Sequence, residues 1–214
     1  MHTSISATLV VLAHFIPSAV LAIPKVTVSP LSNGCSAYPG YSNTTGQAGP
    51  WTVVADSTGS SIDGLKISAE SFTDDGVNRW GFVTLPKGSP NVANITLRCA
   101  NSTLQASLPD WVDLSIASEE NWQSSFSWNI SPAVPVQPYA HYINGQKQAG
   151  VFLGAGNSTT WNFKYNWGGV VGEYYLLRLA DATMTKTARG TLRKRQDFPV
   201  LDDRDWVGFL KVVE

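Results

Sequence analysis

The chain has 214 residues, with 15 Lys and Arg against 16 Asp and Glu and a formal net charge of −1. Only 14% of it is charged, which argues against a nucleic-acid partner, since that requires a basic face. The length suits one domain with a core large enough to need neither a metal nor a dense disulfide framework.

Residues 1–22 read as a secretory signal. Ile5 to Ile16 is a short apolar run, Pro17 ends it, and Ser-Ala-Val-Leu-Ala places small residues at Val20 and Ala22. Cleavage after Ala22 leaves a mature chain 23–214 that starts at Ile23. No later segment is long and apolar enough to read as a span, so no transmembrane segment is expected after signal removal.

Along the mature chain, Lys25–Ser29 alternates polar and β-branched residues and suits an edge strand. Pro30–Gly49 is loop-like and carries Cys35. Trp51–Ala55 is expected as a strand, then Leu65, Ile67 and Ala69 alternate, and Trp80–Leu85 forms another strand that Pro86-Lys87-Gly88 stops. Ile95, Leu97 and Cys99 fall on one face, with Asn94, Thr96 and Arg98 on the other, the pattern of a half-buried strand. Val112, Leu114 and Ile116 point inward from the next strand. Ser118–Trp122 suits a short helical turn with Ser118 as its cap. Phe126, Trp128 and Ile130 alternate, and Pro132, Pro135 and Pro138 then predict an extended connection rather than a central strand. Asn144-Gly145 predicts a two-residue type I′ hairpin within Tyr139–Phe152. Trp161, Phe163, Tyr165 and Trp167 occupy every second position, so in a strand all four rings share one face. Glu173–Ala180 is a further strand, and Trp206–Val213 closes the chain with Val207, Phe209 and Val213 on one face. About a dozen short antiparallel strands with little helix predict an all-β, single-domain β-sandwich or jelly roll.

Two cysteines behind a signal predict one disulfide, Cys35–Cys99. It closes a loop of about 64 residues, for which the chain-entropy model gives about 4 kcal/mol. Five N-glycosylation sequons occur at Asn43, Asn94, Asn101, Asn129 and Asn157, with Pro132 disfavouring use of Asn129. Lys194-Arg195 is a dibasic pair of the type cut in the late secretory pathway. It lies in a basic run that an acidic stretch follows.

Once the signal leaves, His141 is the one remaining histidine, so a multi-histidine metal site cannot be assembled, and no cofactor motif is present. No Gly-X-Ser-X-Gly elbow exists. The candidate catalytic groups are His141 as a lone base and the carboxylates Asp110, Asp113, Glu119, Glu120 and Glu173, because glycoside hydrolysis needs two carboxylates at a set separation. The aromatic stripe is the alternative: Trp161, Phe163, Tyr165 and Trp167 either fill a core or form a platform on which sugar rings stack. A mixed arrangement is expected, with Phe163 and Tyr165 in the core and Trp161 and Trp167 nearer the rim. Asn162, Lys164 and Asn166 are then the solvent face.

The signal, Cys35, the sequons, the dibasic pair and the many short strands together resemble the small secreted β-rich glycoproteins of filamentous fungi. The likeness is one of general style over the whole chain, and it transfers no catalytic residue. The expected function is extracellular or cell-surface binding, with a carbohydrate or cell-wall polymer as partner. A carbohydrate-active hydrolase or lyase using a carboxylate pair is the alternative. A third reading is a cofactor-free enzyme or carrier that holds an apolar small molecule in a β cavity lined by Trp and Tyr.

Overall fold

The computed structural model of the protein describes residues 23–31, 34–88, 92–118, 124–168, 172–180 and 203–214. The expected signal, Glu119 and Glu120 with most of the expected helical turn at Ser118–Trp122, and the Lys194-Arg195 pair lie outside the described residues.

The described residues form fifteen strands, and every pairing between them is antiparallel. In chain order they are β1 (Thr27–Pro30), β2 (Ala48–Asp56), β3 (Ser68–Thr73), β4 (Arg79–Pro86) and β5 (Leu97–Ala100). Next come β6 (Thr103–Leu108), β7 (Asp110–Ala117), β8 (Phe126–Trp128), β9 (Ala133–Pro135) and β10 (Gln137–Ile143). The last five are β11 (Gln146–Lys147), β12 (Phe152–Gly154), β13 (Trp161–Gly168), β14 (Gly172–Leu179) and β15 (Trp206–Val213).

The hydrogen-bonded order runs β15-β13-β14-β4-β8-β7-β6-β5-β2, and β2 then pairs with β15. The path of pairings therefore returns to its starting strand. Several strands change partners along their length, β7 and β15 among them. The first half of β7, up to Asp113, pairs with β6, and Leu114–Ala117 pairs with β8 and β9. On β15, Trp206–Gly208 pairs with β13 and Phe209–Val213 with β2. The enclosed side chains form one hydrophobic core that includes Trp51, Leu97, Leu114, Phe126, Trp161, Phe163, Leu177 and Leu210.

Local chemistry explains several of these elements. Asn144 and Gly145 both have positive φ (51° and 78°), as a type I′ turn demands, and Ile143 pairs with Gln146 across them. Gly81 is required because Trp128 lies directly against it: a Cβ there would sit 1.9 Å from the Glu70 carbonyl oxygen and 2.7 Å from the Trp128 ring. The Cys35–Cys99 disulfide is formed, with Cα atoms 5.2 Å apart, and pins the loop after β1 to β5. Ile95, Leu97 and Cys99 are buried while Asn94 and Thr96 are exposed, as their alternation predicts.

One reading needs correction and another a refinement. The proline-rich connection contains strands: β9 is an exposed edge strand paired, among the described residues, only with β7, and β10 starts at Gln137 with Pro138 inside it. Pro138 is tolerated because β10 pairs with β1 only from Tyr139 onward. On β15, Val207, Phe209 and Val213 do share a face, but the core takes the opposite one, through Leu210 and Val212. Phe209 is buried all the same, because its face is covered too.

Candidate functional site

The face of β13 that carries the four rings runs from core to solvent along a single strand. Trp161 and Phe163 are fully buried, Tyr165 is half-buried and Trp167 is 72% exposed. Trp161 is thus deep in the core rather than at the rim: its indole N–H donates to the Leu153 carbonyl at 2.8 Å and its ring packs on Phe126. Tyr165 is the residue at the rim. The gradient follows from neighbouring strands, since β15 pairs with β13 only as far as Phe163. Beyond that point the Tyr165 backbone N–H is taken by the Asp205 carboxylate at 2.9 Å, in place of a strand partner.

The opposite face of β13 is not simply solvent. Asn162 is fully buried, and its side-chain amide has no hydrogen-bond partner among the described residues. Asn162 is flanked by Arg178 on β14 and Val207 on β15. Lys164 reaches the buried Asp205 carboxylate at 3.4 Å. Asn166 is half-exposed.

Around the exposed end of the stripe, polar groups converge. Glu173 pairs with Trp167 and Tyr175 with Tyr165 in the β13–β14 register, so all four share a face. The Tyr165 hydroxyl donates to Glu173 Oε1 at 2.8 Å, and Lys87 Nζ sits 3.2 Å from Glu173 Oε2. The Arg204 guanidinium lies 3.9 Å from the Tyr165 ring centroid, a cation–π contact, and Tyr175 meets the same ring edge-on. The hydrogen bond from Tyr165, then that from Lys87, lowers the Glu173 carboxyl below the usual range, while the same bond raises the Tyr165 phenol. Glu173 is therefore a carboxylate at neutral pH. A general acid in glycoside hydrolysis needs the opposite shift.

The other candidates are scattered. Asp110 and Asp113 are three positions apart on β7, so the strand turns them to opposite faces. Asp113 is exposed and accepts from Gln105 Nε2 at 2.8 Å; Gln105 in turn accepts from Arg98 Nε at 2.8 Å. The Arg98 guanidinium covers the Trp111 ring at 4.1 Å, which completes a flat polar ladder across β5, β6 and β7. His141 is 1% exposed, stacked on Phe152 with centroids 3.6 Å apart, and its Nε2 is 2.8 Å from Thr159 Oγ1. Burial lowers its pKa to about 4, so the imidazole is neutral and held in place. The five sequon asparagines are all exposed, and the Asn129 amide donates to the Arg79 carbonyl at 2.9 Å.

Sequence reasoning missed Lys87, Arg204 and Glu70. Lys87 reads only as part of a strand-stopping turn, and Arg204 as one charge in a mixed run. Glu70 accepts a hydrogen bond from Tyr174, and burial, the larger effect, raises its carboxyl. Its position on a short alternating strand carries no mark of that environment. Among the described residues, no three His, Cys, Asp or Glu side chains gather as a metal-ligand set, and no helix is long and apolar enough to cross a membrane. Neither the models of known protein families nor the characterised proteins compared with this chain match it.

Proposed function

We propose that this chain is a secreted glycoprotein that acts by binding, and that a glycan or wall polymer docks on the surface formed by Trp167, Tyr165, Glu173 and Lys87. The observation that carries the reading is Trp167, a large ring 72% exposed at the end of an otherwise buried stripe. It stands beside a carboxylate and an ammonium already held in place by hydrogen bonds. A sugar presents an apolar C–H face and a rim of hydroxyls. A flat indole serves the first, and fixed donors and acceptors serve the second. The disulfide and the five exposed sequon asparagines fit a secretory route. Carboxylate-pair hydrolysis has less support, because Asp110 and Asp113 face apart and Glu173 is held ionised.

The test is affinity electrophoresis of the purified secreted protein through gels containing β-glucan, chitin derivatives or mannan. At least one polymer should retard the protein, and Trp167→Ala should remove that retardation while leaving the melting curve unchanged. Equal mobility in every polymer, or undiminished retardation of Trp167→Ala, would overturn the proposal. N-terminal sequencing of the same sample should begin at Ile23.

A further inference from the structure

A second site lies on a different face and does not depend on the glycan-binding reading. Strands β10, β12, β15 and β2 form a sheet with one side turned into the core through Leu153, Leu210, Val53 and Ala55. The register fixes what stands on the other side. Phe209 is opposite Asp56, Phe152 is opposite Lys211, and His141 lies two residues beyond Tyr139, which is opposite Phe152. All five side chains therefore share the outer face. His141 and Phe152 stack with their planes 2° apart, and Phe209 meets both edge-on at 4.6 and 6.2 Å. These three rings make a buried aromatic floor. Pro24 and Val26 of the N-terminal segment, with Gln148 and Ala149 after β11, stand over it and leave a cavity of about 280 Å³.

Asp56 and Lys211 both line this cavity, and neither forms an ion pair with the other or with any other described residue. Asp56 Oδ2 accepts from the Ser57 hydroxyl at 2.8 Å. The Lys211 stem occupies the space left by Gly150, where a Cβ would come within 2.7 Å of Lys211 Cε, and its ammonium lies 5.9 Å from the Phe152 centroid. The two charged residues are diagonal neighbours on paired antiparallel strands, a relation that sets their backbone positions about 7–8 Å apart. One group of each sign therefore stands on the wall of the same cavity without an ion-pair partner, an arrangement that suits a molecule bearing both signs of charge.

We propose that this cavity binds a small zwitterion, an α-amino acid with an apolar side chain, whose ammonium meets Asp56 and whose carboxylate meets Lys211. The side chain lies on the Phe152–Phe209–His141 floor. His141 adds no third charge, because its Nε2 is committed to Thr159 and its imidazole is neutral. A ligand with one charge would leave the opposite group desolvated and unmatched, which is the physical basis of discrimination here. The volume is near the lower end for small-molecule pockets, which suits a ligand the size of an amino acid.

The experiment is calorimetric titration of the intact secreted protein with L-leucine, L-phenylalanine, leucinamide, which lacks the carboxylate, and 4-methylpentanoate, which lacks the ammonium. At least one amino acid should bind, and both truncated analogues should bind leucine's site about tenfold more weakly or worse. Lys211→Met should erase the preference for leucine over leucinamide, and Asp56→Asn the preference for leucine over 4-methylpentanoate. The ligand series on the wild-type protein decides the matter by itself should either variant fail to fold. Absence of heat at millimolar amino acid, or equal affinity for all four compounds, would overturn the proposal, and neither result bears on polymer retardation at Trp167.

Discussion

Alanine substitutions at Phe163 and Trp167 test whether one strand face is divided between core and surface. Phe163 is fully buried, between its strand partners Leu177 on β14 and Trp206 on β15. Its truncation removes the burial of a whole ring and leaves a cavity in the core, so the cost should be about 3–5 kcal/mol. For a domain of this size each kcal/mol lowers the melting temperature by about 2–4 °C, which gives a fall of about 6–20 °C. Trp167, four residues along the same face, is 72% exposed, and its loss should cost less than about 0.5 kcal/mol. Thermal melts followed by near-ultraviolet circular dichroism, run beside affinity electrophoresis, read both effects. A fall in melting temperature for Trp167→Ala that rivals Phe163→Ala would refute the division of the strand. So would a Phe163→Ala melt that matches wild type.

Lys164→Ala, on the other face, should cost about 1–2 kcal/mol rather than nothing: removing one partner of a buried ion pair is destabilising, but Lys164 is partly exposed and Asp205 keeps the Tyr165 N–H. Chemical denaturation measures this, and a loss near zero would mean the pair contributes nothing. Cys99→Ser should lower stability by about 4 kcal/mol in the chain-entropy model, for the sequence separation of 64; two thiols alkylated in the native protein would contradict the bond. The His141 pKa is depressed to about 4 by burial, with Asp56 opposing, so the unfolded chain binds the proton first as pH falls. Stability from this residue is therefore intact above about pH 6.5, falls as pH drops from there towards about 4, and levels off below it. The stability difference between wild type and His141→Gln should shrink across that window, and a difference independent of pH would count against the buried neutral imidazole.

Much of the fold is legible in the sequence because a strand's period of two is a local property. Alternation alone places Ile95, Leu97 and Cys99 on one side and the four rings of β13 on another, and Asn144-Gly145 announces its turn because both residues tolerate positive φ. Parity, however, says nothing about depth. Trp161 and Trp167 have the same parity and similar chemistry, yet one is fully buried and the other is open to solvent, because β15 stops pairing with β13 at Phe163. Asn162 is buried on the face that alternation assigns to water, because that side of the sheet is covered as well. The site around Trp167 was half visible: its rings and Glu173 stand out in the chain, while Lys87 and Arg204 arrive from distant segments. The cavity over His141 was not visible at all. Asp56, His141, Phe152 and Lys211 come from four strands that meet only through long-range antiparallel pairing, and such pairing is decided by the whole ladder rather than by any stretch of residues within it.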